Sequence, residues 1–165
     1  MKRKFSLMLV FLAAFGFILT SCDDDDDEDP VTEFVADNGS FDNYDAWNFI
    51  VETMGPDAAL GPAHAGNDST ASRKVWQNNT DNRSDGGKYP VGTMFFKEVK
   101  DEGGTIIGYT AMAKRGNGFD PDHNDWEWFM LDPATGDIAE RGLFDGMCWG
   151  CHAAAADTDY VFSKQ

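Results

Sequence analysis

GTMFFKEVKDEGGTIIGYTAMAKR, residues 92–115, is the stretch that decides the fold. Its first part, GTMFFKEVK, is rich in residues whose branched or aromatic side chains suit a pleated surface. DEGG then supplies acidic residues and glycines suited to a tight turn, and TIIGYTAMAKR returns. Two such runs around a short turn predict an antiparallel hairpin from Gly92 to Lys114. DWEWFMLD, residues 125–132, reads as a third strand, closed by the turn DPATGD, with IAE as the start of a fourth. The predicted class is therefore mainly β (α+β): an antiparallel sheet with short helices.

Outward from the sheet the pattern weakens. In NGSFDNYDAWNF, residues 38–49, Ser40 is placed to cap a short helix carrying Phe41, Tyr44 and Trp47 at helical spacing. WNFIVET is equally compatible with the start of a strand. Residues 55–87 are rich in Gly, Ala, Asn and Asp and read as long loops interrupted by RKVWQN. Loops of this length inside a compact domain are functional or disordered. The sheet is heavily aromatic, with Phe95, Phe96, Tyr109, Trp126, Trp128 and Phe129. Core packing accounts for most of these rings, and a flat ligand against one face accounts for an excess.

The first residues concern location. Lys2, Arg3 and Lys4 precede an apolar run from Phe5 to Leu19 that is short for a bilayer span. Leu19-Thr20-Ser21-Cys22 looks like a bacterial lipobox, so residues 1–21 read as a lipoprotein signal peptide and Cys22 as the lipidated residue. Residues 22–30, CDDDDDEDP, form a solvated acidic linker that also resembles a surface-export signal. The expectation is an exported lipoprotein on the outer membrane or its periplasmic face, or at the cell surface, held to the membrane by lipid alone. Residues 31–165 are enough for one domain with one core. A formal net charge of −16 and the absence of a basic stripe argue against a nucleic-acid partner.

The chemistry lies in GMCWGCHAAAADTDYVF, residues 146–162, which holds two of the chain's three cysteines. Cys148-Trp149-Gly150-Cys151-His152 has the Cys-x-x-Cys-His spacing of covalent haem attachment. Two thiols three positions apart reach both vinyl groups of one haem, and the adjacent histidine falls beneath the iron. A thioredoxin-like pair belongs in a βαβ pattern that this chain lacks. Zinc needs further ligands, for which only His64, His123 and carboxylates remain. The reading is one haem c per chain, held by Cys148 and Cys151 with His152 on iron. The tail after His152 contains neither Met nor His. Any sixth ligand therefore comes from upstream, or the iron is five-coordinate.

KYPVGTMFFKE, YTAMAKRGNGFDPDHNDWEWFMLDP and GMCWGCHAAAADTDYVF together resemble segments of the cytochrome P-460 family, which includes the cytochromes c-prime-beta. The resemblance spans about residues 88–162 and implies a mainly antiparallel fold with one haem c, His152 proximal and a distal side accessible to small molecules. It also implies a choice between two branches. P-460 enzymes carry a lysine bonded to the porphyrin edge and oxidise hydroxylamine or nitric oxide. The c-prime-beta proteins lack that bond and bind nitric oxide or carbon monoxide beside aromatic residues. Lys74, Lys88 and Lys97 are the lysine candidates, with Lys97 on a predicted strand.

Further candidates are weighed on their surroundings. His64 in GPAHAGN is a candidate distal iron ligand, pocket hydrogen bonder or surface residue, and Met94 and Met112 are alternative ligands on strands. Arg115 is a candidate for pairing with a haem propionate, against a salt bridge to Asp120 or Asp125. His123 reads as a solvent-facing residue or loop brace. Glu127, if turned into the pocket, is a base for incoming hydroxylamine. The expected function is binding or redox transformation of nitric oxide or hydroxylamine, with enzymatic turnover left open. The alternative is a six-coordinate electron carrier with His64 or a methionine as sixth ligand. The expected partners are a small gaseous or nitrogenous ligand and a redox partner protein, and a homodimer is compatible with the sequence.

Overall fold

The computed structural model describes residues 33–57, 60, 64–79, 83 and 87–162. The signal peptide, Cys22 and the acidic linker lie outside the described residues. Six strands follow one another in space as in sequence: β1 (Asn48–Met54), β2 (Ser72–Gln77), β3 (Met94–Lys100), β4 (Ile106–Lys114), β5 (Trp126–Leu131) and β6 (Ile138–Gly142). Every neighbouring pair is antiparallel. The expected hairpin is β3–β4, with Phe96 opposite Ala111 and Lys97 opposite Thr110. Its turn is closed by Asp101, whose carboxylate accepts from Thr105 N and whose carbonyl accepts from Gly104 N. Gly104 has φ +81°, a backbone state that its missing Cβ permits.

Because side chains alternate across a pleated strand, the sheet has two distinct faces. One carries Met94, Phe96, Tyr109, Ala111, Phe129 and Leu131, packed under Phe41, Tyr44 and Trp47. These come from 3₁₀ turns at Asn38–Phe41 and Tyr44–Ala46 rather than from a longer helix. Asp37, not Ser40, is the cap: its carboxylate accepts from Ser40 N, and Ser40 Oγ accepts from Asp37 N in return. Tyr44 stacks on Phe96 with ring centres 4.0 Å apart, and its hydroxyl donates to Glu98. Burial of such rings supplies about 1.5–3 kcal/mol each toward holding this layer on the sheet.

The opposite face carries Val75, Phe95, Met112, Trp126 and Trp128. Over it folds the C-terminal segment: a 3₁₀ turn at Phe144–Gly146, helix α1 (Met147–His152) and a further 3₁₀ stretch at Ala153–Thr158. Cys148, Trp149, Tyr160 and Val161 pack against that face. Among the described residues no helix is long and apolar enough to cross a membrane.

Candidate functional site

Helix α1 places Cys148, Cys151 and His152 at i, i+3 and i+4, on one side of the helix. All three line a cavity of about 410 Å³ between the C-terminal segment and the sheet. From the sheet the cavity takes Val75, Phe95, Lys97, Thr110, Met112, Trp128 and Met130, and from the segments after β1 it takes Asp57, Leu60 and His64. Its size falls within the range of small-molecule and cofactor pockets. Cys148 and Cys151 are not joined to each other by a disulfide, and burial pushes the Cys148 thiol up to about 11.

The C-terminal turn orients His152. Asp159 and Tyr160 both have positive φ, 57° and 65°, and this double left-handed turn brings the Tyr160 carbonyl to 2.7 Å from His152 Nδ1. A carbonyl only accepts, so Nδ1 carries the proton and Nε2 keeps its lone pair for a metal. Burial lowers the His152 pKa, which favours the neutral, ligating form. The turn is anchored from the sheet. Lys114 Nζ donates to both Asp159 carboxylate oxygens at 2.9 Å, Tyr89 N donates to Oδ2, and Trp126 Nε1 donates to the Asp159 carbonyl. Neither the sheet end of this network nor its anchoring role was anticipated from sequence, since Lys114 and Asp159 are 45 positions apart.

Of the three candidate lysines, only Lys97 belongs to the cavity lining. Burial first, then the charge of Arg73, pulls its amine down to about 8 against the pull of Asp57. Lys74 is ion-paired with Glu52, while Lys88 is exposed. His64 also lines the cavity, its ring centre 6.3 Å from that of His152. Desolvation, with the charge of Lys97 next, lowers the His64 pKa to about 3, so the imidazole is neutral. Met112 faces the cavity, whereas Met94 belongs to the opposite core and cannot reach it.

Two polar candidates lie outside the cavity lining. Glu127 points to the face opposite the cavity, where Arg141 Nε and Nη2 each donate to it at 2.8 Å. Locked in that fork, it is not a base for anything in the cavity. Arg115 is not in the cavity lining; it pairs with Glu33 at 2.6 Å and lies over the Phe119 ring. His123 is a loop brace: it bonds Asp120 at 2.9 Å and stacks on Trp149 with centres 3.9 Å apart. Arg73, which sequence reasoning passed over, does line the cavity, and donates to the carbonyls of Gly55 and Gly66.

The donor set fits a haem attached through both thiols. The walls are apolar and aromatic, Trp128 lies 4.5 Å from His152 between ring centres, and Trp128 Nε1 is buried without an acceptor. A buried N–H left unpaired is costly, and a bound group offering an acceptor relieves it. Among the described residues no three His, Cys, Asp or Glu side chains converge as a metal cage.

A family model described as Cytochrome P460 matches residues 41–163. No curated protein matches the chain.

Proposed function

The chain belongs to the cytochrome P460 family, and on that premise we propose that it is a single-haem c cytochrome that binds or redox-transforms nitric oxide or hydroxylamine. The observation that carries this reading is the shared cavity, in which the Cys148–Cys151–His152 face of α1 meets Lys97 and an aromatic sheet face. When bound, the haem supplies an iron that changes oxidation state and accepts small nitrogenous ligands.

The protein's own residues supply attachment, orientation and exclusion of water. Cys148 and Cys151 would hold the two thioether bonds. His152 offers Nε2 while the Tyr160 carbonyl fixes its tautomer. Phe95, Met112, Trp128 and Val161 keep the surroundings apolar. Lys97, whose amine lies in the same cavity, is the residue proposed to bond the porphyrin edge. Forming that C–N bond would break an N–H and a porphyrin C–H bond and require a two-electron oxidant such as peroxide. The lowered pKa leaves a share of the amine unprotonated near neutral pH for such a step. Cys22 is proposed to carry the lipid that holds the domain at an exported membrane surface, from which electrons pass to a redox partner.

Anaerobic titration of the reduced holoprotein with nitric oxide, and of the oxidised form with hydroxylamine plus an artificial electron acceptor, tests the reading. Stoichiometric spectral change in either titration supports it. Indifference to both ligands leaves electron transfer as the function of the haem. Peptide mapping reads the crosslink separately: Lys97 and the Cys148–Cys151 peptide are expected to share one haem.

A further inference from the structure

We propose that His64 is the second axial ligand of the haem iron and that an incoming small ligand must displace it. The inference rests on the haem reading above and concerns the side of the cavity facing His152. Two imidazoles bound trans to one metal, each by a bond of about 2 Å, have ring centres about 6–6.5 Å apart. The His64 and His152 ring centres are 6.3 Å apart. Their planes are inclined by 51°, and trans ligation leaves that angle free. His152 Nδ1 is engaged by the Tyr160 carbonyl, and His64 Nδ1 lies 3.5 Å from Thr110 Oγ1, which can accept its proton. With the proton on Nδ1, Nε2 is the lone-pair donor of each ring.

The His64 segment is fastened to the sheet residue by residue. A Cβ on Gly108 would come within 2.9 Å of the Ala65 Cβ, so β4 has a glycine where the segment crosses it. Gly66 has φ +69°, and a Cβ there would lie 2.5 Å from Val99 and 2.9 Å from Ala71. Its carbonyl accepts from Arg73 Nη1 at 2.8 Å, while Arg73 Nη2 donates to Gly55 across the same gap. Asn67 adds a link by accepting from Asp57 N at 2.9 Å. These close contacts fix the position of the backbone that carries His64.

Displacement is a simple exchange of lone-pair donors: the His64 Nε2–metal bond breaks, the bond to the incoming ligand forms, and no electron is transferred. If His64 occupies the position in all but about 1 % of molecules, the apparent affinity for a competitor falls about 100-fold. The cavity then selects ligands that bind iron strongly, as nitric oxide does.

The test uses the haem-loaded protein as wild type, His64→Ala, His64→Gln and Gly108→Val, each checked for native far-ultraviolet circular dichroism. Electron paramagnetic resonance and optical spectra of the ferric state read the spin state. The expected result is low-spin wild type, high-spin His64→Ala and His64→Gln, a mixed population in Gly108→Val, and return of His64→Ala to low spin with added imidazole. With carbon monoxide as probe, binding to reduced wild type is expected to reach a rate ceiling set by His64 release. Binding to His64→Ala should rise linearly with concentration and be tighter by about 10- to 100-fold. A high-spin wild type, or a low-spin spectrum unmoved by both His64 substitutions, overturns the assignment, and nitric oxide uptake by that wild type would leave the small-ligand reading standing. A low-spin wild type that excludes both gases, with uptake only in His64→Ala, upholds His64 as ligand and overturns the small-ligand reading instead.

Discussion

Glu127 and Lys97 lie in the same sheet, and the pleat sends them to opposite sides of it. That difference decides their roles. Glu127 is 2 % exposed and held by Arg141 and Arg115, so Glu127→Gln weakens charged hydrogen bonds and is expected to cost about 1.5–3 kcal/mol of stability. The haem spectrum and carbon monoxide uptake should not change; an altered spectrum at unchanged stability would return Glu127 to the site. Lys97 gives a pH signature in the apoprotein. Its amine titrates near 8 when folded against 10.5 when free, so the unfolded chain binds more protons between those values and stability rises with pH across that window. Urea denaturation at several pH values should show this slope in the wild type and a shallower one in Lys97→Met; equal slopes would mean that the amine is not buried as described. Parity along β5 was readable in the sequence, because Glu127 alternates with Trp126 and Trp128. Which parity faces the cavity was not, since that depends on where the C-terminal segment docks.

At the scale of elements, the hairpin and the attachment motif were legible because each is written in local chemistry. Turn residues between β-rich runs specify β3–β4, and the motif spacing needs only one turn of helix. Residues 64–71 were opaque for the opposite reason: their anchors are Arg73, Val99 and Gly108, on strands that follow them in sequence. Asp37 took the cap expected of Ser40 because the two share a capping box, and both residue types suit either place in it. The Lys114–Asp159 pair is the element-scale device with most consequence. It ties β4 to the left-handed turn whose Tyr160 carbonyl holds His152. Lys114→Met leaves a buried carboxylate unpaired and is expected to lower stability by about 3–5 kcal/mol. Spectroelectrochemistry should also show a shifted haem reduction potential, because the hold on His152 Nδ1 loosens. An unshifted potential in the destabilised variant would reduce the pair to a purely structural role.

On the scale of the whole molecule, the sheet works as a partition. One face is sealed by the Tyr44 and Phe41 layer, and the other is an aromatic surface over which the C-terminal segment and the residues around His64 enclose a cavity. The aromatic excess noticed in sequence is thereby divided between a core and a site, and the family match over residues 41–163 covers both. The proposed function requires a single haem joined covalently to α1 against this second face. Mass spectrometry of the intact, denatured holoprotein tests that most directly, with Cys148→Ala/Cys151→Ala as the comparison. One haem mass retained per wild-type chain, and none on the double variant, is the predicted result; a wild-type chain that sheds all haem on denaturation would contradict it.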